Sequence, residues 1–123
     1  MTLALGIDPG TATTGFGLVR LMPNGDLVAV SYGIISTPKE SSPAARLEML
    51  FDQLNDLLKE HKPDTAAVEQ LFFQTNVKTA IAVGQARGVI LLCIQKAGIE
   101  PFEYTPNEVK QAVAGYGSAD KRQ

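Results

Sequence analysis

Between Ser42 and Pro63 the apolar residues Leu47, Leu50, Phe51, Leu54, Leu57 and Leu58 recur every three or four positions, separated by Glu48, Asp52, Gln53, Asp56 and Lys59. That period predicts an amphipathic helix of about four turns, opened by Ser42 as N-cap with Pro43 at the first helical position and ended before Pro63. Short β-branched and apolar runs lie on both sides of it. A helix between strands is a crossover, and the strand that follows is expected to run parallel to its sheet neighbour. This arrangement places the chain in the α/β class.

Ahead of the helix, residues 2–8 (TLALGID) and 14–20 (TGFGLVR) read as two strands joined by a turn rich in Gly and Thr. Pro23, Asn24, Gly25 and Asp26 form a second turn before a third strand, Leu27 to Ser36. Three strands with short connections predict an antiparallel meander. After the helix, the run from Thr65 to Val68 ends in Glu69, as the first strand ends in Asp8. Asp8 alone has two readings: it starts a turn completed by Pro9 and Gly10, or it is an acid fixed by the sheet for a metal or phosphate site. If the two strands lie side by side and parallel, Asp8 and Glu69 emerge at one sheet edge, within reach of one ion.

Thr75 to Ala97 reads as a second helix, closed by Gly98. Within it Ala80, Gly84 and Gly88 form a stripe of small residues, and each interior glycine costs about 0.8–1 kcal/mol relative to alanine. Two readings are open: close packing onto the sheet, or close approach of another helix, including one from a second subunit. Pro101 to Tyr104 reads as a short strand. Thr105, Pro106, Asn107 and Glu108 form a capping box for a third helix, which runs to about Ala114. Ser118 can then cap a further helix, yet the sequence stops at Gln123. The order β-β-β-α-β-α-β-α predicts a five-stranded mixed sheet of the ribonuclease H kind with flanking helices. Residues 1–123 are expected to form one such domain, lacking its C-terminal helical part.

With 123 residues and 45% hydrophobic content, the chain is of single-domain size. The one cysteine, Cys93, excludes an internal disulfide framework and sits in the apolar run VILLCI, which reads as core. No run approaches the roughly 18 apolar residues of a membrane span, so the expectation is a soluble, cytoplasmic protein with no membrane partner. Net charge is −2 but uneven, with five Lys/Arg against nine Asp/Glu in residues 1–70 and six against four in residues 71–123. The acidic half could hold cations and the basic half could face phosphate. His61, the one histidine, reads as a helix terminus, and Asp64 as a solvated turn residue. Phe72 and Phe73 follow the Glu69 strand as a pair that could be buried or could place one ring outward.

The segments GIDPG with TGFG, VEQLFF with NVKTA, VGQARGV, EYTPNEVKQAV and GYGSADK occur in this order through nearly the whole chain. Together they resemble the bacterial Holliday-junction resolvases of the RuvC type. The resemblance implies a metal-dependent endonuclease that acts as a homodimer, each subunit nicking one of two like-polarity strands of a four-way DNA junction, alongside a branch-migration motor complex. It implies that Asp8 and Glu69 are catalytic and bind Mg²⁺ or Mn²⁺, two ions in the complete site. It also places Phe72 as an aromatic stacking on opened bases, Lys110 and Lys121 near junction phosphates, and the helix with Ala80, Gly84 and Gly88 at the dimer contact.

The family pattern has four acids, the last two on a C-terminal helix, and Asp120 does not stand in for either. The 123-residue chain is therefore expected to be inactive as a nuclease. Three rivals remain: another ribonuclease H-like nuclease such as the YqgF type acting on RNA, a fragment of an actin-like ATPase suggested by the GIDPGT turn, and a junction-binding fragment that does not cleave.

Overall fold

The computed structural model describes residues 2–10, 12–69 and 77–104. The elements are β1 (Thr2–Asp8), β2 (Thr13–Leu21), β3 (Leu27–Ser36), α1 (Pro43–His61), β4 (Thr65–Glu69), α2 (Val77–Lys96) and β5 (Pro101–Tyr104). The strands form one sheet in the order β3-β2-β1-β4-β5. As the sequence predicts, β1 to β3 form an antiparallel meander, and β1–β4 and β4–β5 are parallel. The ladder shifts register between Leu18 and Val19. Phe16 lies over Gly33, where a Cβ would press on the ring at 3.2 Å. The third predicted helix and the residues after it lie outside the described residues.

α1 begins as its sequence dictates: the Ser42 Oγ accepts from the Ala45 N–H at 3.2 Å, and Pro43 occupies the first turn. It ends with Lys62 in the left-handed conformation, φ 47°, donating its N–H to the Leu58 carbonyl. Pro63 explains the stop, because the residue before proline is turned away from helical backbone. α2 ends at Lys96, and the chain turns away at Gly98, whose φ of +82° suits glycine.

Pleating sends alternate side chains to opposite faces. Leu3, Leu5, Ile7, Leu18, Ile35, Ala66 and Val68 project to the face covered by both helices and meet Leu50, Leu54, Leu58, Ala86, Ile90, Cys93 and Ile94 in one core. Cys93 is fully buried, as its apolar context predicts; its Sγ lies 3.8 Å from the Phe51 carbonyl oxygen, and burial pushes the thiol pKa up to about 11. α2 is long and apolar enough by composition to cross a membrane, contrary to the expectation from its sequence. One side of it belongs to this core.

On the other face, register places Ala4, Gly6 and Asp8 beside Val19, Gly17 and Gly15, with Ala67 beyond them. Tyr32 and Ile34 pair with Gly17 and Gly15, and Phe102 pairs with Ala67. These three are 84%, 66% and 58% exposed. The result is a trough floored by small residues and walled by large apolar ones, with Asp8 and Glu69 at one end.

Candidate functional site

The register that pairs Ile7 with Val68 brings the next two residues, Asp8 and Glu69, alongside each other. Both lie on the face away from α1 and α2, Asp8 exposed and Glu69 half-buried. Their alignment starts at the opposite end of the strands. There the Asp64 carboxylate accepts the Leu3 N–H at 2.8 Å, and the Asp64 N–H donates to the Leu3 carbonyl at 2.8 Å. Asp64 is thus more than a solvated turn residue: it brackets the first residues of β1 and β4 and helps set the register that delivers the two acids. Local sequence gave no signal of this, since the contact spans 61 residues.

The Glu69 carboxyl is pushed up to about 7, first by burial, then by a hydrogen bond shared with Asp8 and by the negative charge of Asp8. Two carboxylates this close oppose joint ionisation unless a cation lies between them. The oxygen donor set suits a hard cation such as Mg²⁺ or Mn²⁺. Among the described residues, no third Asp, Glu, His or Cys joins the pair.

The turn after Asp8 is tight. Pro9 is fully buried, and a Cβ on Gly10 would collide with the Thr13 carbonyl oxygen, so glycine is required there. Beside the acid, Gly15 leaves only the Asp8 Cβ near the place where its own Cβ would lie, at 3.9 Å. Behind the turn, the Thr37 N–H donates to the Ala12 carbonyl at 3.2 Å, and the Thr37 hydroxyl accepts from Arg46 Nε at 3.0 Å.

Phe72, Lys110, Lys121 and Asp120 lie outside the described residues. Of the small stripe, Ala80 is half-buried, while Gly84 and Gly88 are exposed with no atom within 4 Å of a Cβ built on either. Close packing of these glycines onto the sheet is therefore not observed. The core side of α2 carries Val83, Ala86, Ile90, Cys93 and Ile94 instead. Val77, Ile81 and Leu92, exposed by 74%, 56% and 51%, continue the outward apolar surface. α2 is apolar on both sides, so its periodicity could not reveal which side faces inward. His61 ends α1 half-buried, 3.9 Å from the Glu60 carboxylate. Arg87 of α2 forms an ion pair with Glu103 and so ties β5 to the helix layer.

The family profile described as Crossover junction endodeoxyribonuclease RuvC matches residues 4–123. A RuvC from Rubrobacter xylanophilus is 55% identical over 119 residues, covering 97% of this chain and 66% of its own length. One from Heliobacterium modesticaldum is 51% identical, with 97% and 73% covered. The chain thus spans about two thirds to three quarters of the length of these relatives.

Among solved structures, T. thermophilus RuvC in complex with Holliday junction substrate superposes with a TM-score of 0.84 at 26% identity, covering 95% of this chain and 73% of that one. A second Thermus thermophilus RuvC structure gives 0.82 at 32% identity, covering 98% and 74%. The yeast mitochondrial resolvase Ydc2 shares the fold, with a TM-score of 0.66 at 13% identity. About half of the aligned residues are thus shared with these sequence relatives and the fold with the Thermus structures, and the chain belongs to the RuvC family of crossover junction endodeoxyribonucleases.

Proposed function

We propose that the intact protein is a metal-dependent endonuclease that resolves four-way DNA junctions, as its relatives' names and the junction complex of its Thermus counterpart suggest. The observation that supports this reading most directly is the Asp8–Glu69 pair at the end of an open trough. Bound divalent ions would activate the attacking water and stabilise the leaving oxygen of the phosphodiester. Asp8 and Glu69 would hold them, Asp8 from the end of the ladder that pairs it with Gly15 of β2. A cation held there would offset the burial and the Asp8 charge that push the Glu69 carboxyl up, and so favour its ionised form. In this reading two further acids, on the C-terminal helix that the family resemblance implies, complete the set of ligands.

The protein acts as a homodimer through the outward side of α2, where Val77, Ile81 and Leu92 supply apolar area and Gly84 and Gly88 admit a helix at close range. Phe72 stacks on bases opened at the crossover, a contact worth about 1–3 kcal/mol per base. Lys110 and Lys121 meet the junction phosphates. A branch-migration motor is the assembly partner, and the cytoplasm is the compartment, in keeping with a lone buried thiol.

The test is cleavage of a labelled four-way junction and of a matching duplex in Mg²⁺ or Mn²⁺. Paired nicks confined to the junction are expected. Asp8→Asn should abolish them while junction binding survives, and Phe72→Ala should reduce junction cleavage more than duplex binding. Normal Mg²⁺-dependent nicking by Asp8→Asn would overturn the assignment.

A further inference from the structure

In the turn that follows Asp8, Pro9 is buried, but Gly10 and Ala12 border open space. A crevice of about 130 Å³ lies beneath it, bordered by Gly10, Ala12, Ile35, Leu47, Arg46 and Ala86. Atoms lining a void lack partners on that side, so dispersion contributes little to fixing Gly10 and Ala12 from below. What bridges the gap is polar and directional. Arg46 projects from the first turns of α1 and donates from Nε to the Thr37 hydroxyl at 3.0 Å, and the Thr37 N–H donates to the Ala12 carbonyl at 3.2 Å. Arg46 is itself anchored, its N–H bonded to the Ser42 carbonyl at 3.0 Å within the capped start of the helix.

We propose that Arg46 and Thr37 are positioning residues that brace the glycine turn and thereby hold Asp8 in its working place. The inference rests on the proposed nuclease function only for its catalytic consequence; the brace itself is a property of the fold. Asp8 is the last residue of β1, so its strand pairing fixes it from one side alone, and the turn fixes it from the other. Gly10 contributes no side chain to pack, and Pro9, although buried, has no N–H to bond. The polar relay thus carries the position of α1 to Ala12, at the far end of the turn from Asp8. Catalytic groups displaced by about 1 Å can lose about a hundredfold in rate, so a loosened turn has a kinetic consequence even where the fold survives.

The experiment compares Thr37→Val, which keeps shape but loses the hydroxyl, with Thr37→Ser, which keeps the hydroxyl, and adds Arg46→Ala as an independent break in the relay. Amide hydrogen exchange at Thr37 reads the brace without reference to activity. Exchange is expected to quicken by about tenfold or more in Thr37→Val and Arg46→Ala and to stay near wild type in Thr37→Ser. In the intact protein, the same two variants should lower kcat for junction cleavage by about tenfold and raise the Mg²⁺ concentration needed for half-maximal rate, with junction Kd unchanged.

Unchanged Thr37 exchange in both broken variants would overturn the brace. Quickened exchange with kcat and the Mg²⁺ midpoint unmoved would make the relay merely structural and overturn its positioning role. Equal damage from Thr37→Ser and Thr37→Val would show that the hydroxyl is not the cause. Failure of the nuclease reading is separable, because it appears as wild-type cleavage by Asp8→Asn.

Discussion

Replacing Asp8 with asparagine is expected to stabilise the metal-free protein at pH 8 while removing its response to divalent cations. In the fold the Glu69 carboxyl titrates near 7 instead of its ordinary 4.5. Because the folded value lies above the unfolded one, the native state holds a proton that the unfolded chain releases between these values. The pair's stability is therefore greatest below pH 4.5 and is lost as pH rises through 7. At about 1.4 kcal/mol per unit, the full shift corresponds to about 3.5 kcal/mol. Burial is its largest cause and persists in the variant, and solvent screens the charge of a half-buried carboxylate. The part relieved by neutralising Asp8 is therefore about 1 kcal/mol.

Urea unfolding in EDTA measures this directly. Asp8→Asn should gain about 1 kcal/mol over wild type at pH 8 and nothing at pH 4.5, where Glu69 is already protonated in the fold. Mg²⁺ should then stabilise wild type and leave the variant unmoved. A variant destabilised at pH 8, or a gain of equal size at both pH values, would refute the electrostatic coupling of the two acids.

Three further outcomes follow from packing and hydrogen bonding. Asp64→Ala leaves the Leu3 N–H without its acceptor and should cost about 1–2 kcal/mol in urea unfolding, with the β1 and β4 amides losing exchange protection first. Leu54, fully buried between helix and sheet, should cost about 2–5 kcal/mol when changed to alanine, again read by unfolding. Ile81→Glu, on the outward side of α2, should leave the circular dichroism spectrum unchanged while shifting sedimentation from dimer to monomer; a persistent dimer would move the contact to another surface.

The elements were legible where the cause is local. Ser42 and Pro43 announce the start of α1, and turn residues mark the meander. An apolar run ended by an acid on each side of a crossover brings Asp8 and Glu69 to one sheet edge if the two strands are parallel neighbours, as they are. What escaped the sequence is contact between distant residues of ordinary type. Asp64 looks like any turn aspartate, yet it bonds to Leu3 across the chain. Thr37 and Arg46 belong to no periodic pattern, and the Arg87–Glu103 pair joins residues from two elements whose relative placement only the packed fold defines. The glycine stripe was visible, but not its direction, because α2 carries apolar residues on its outward side as well.

The parallel pairing of β1 with β4 also has a consequence for the order in which the protein assembles. The meander of β1, β2 and β3 closes through short turns, whereas the contact between Leu3 and Asp64 must close a loop of 61 residues. Loop-closure entropy opposes such contacts until much of the chain is ordered, and non-local pairing slows folding. Asp8 is therefore expected on an early hairpin, with Glu69 reaching it only once the longer-range β1–β4 pairing forms. A nascent chain or misfolded species that retains the meander alone holds one acid and no pair. Cation-dependent protection, followed by pulse-labelled exchange during refolding, should accordingly arise in the slowest phase, making ion binding a timer for completed topology.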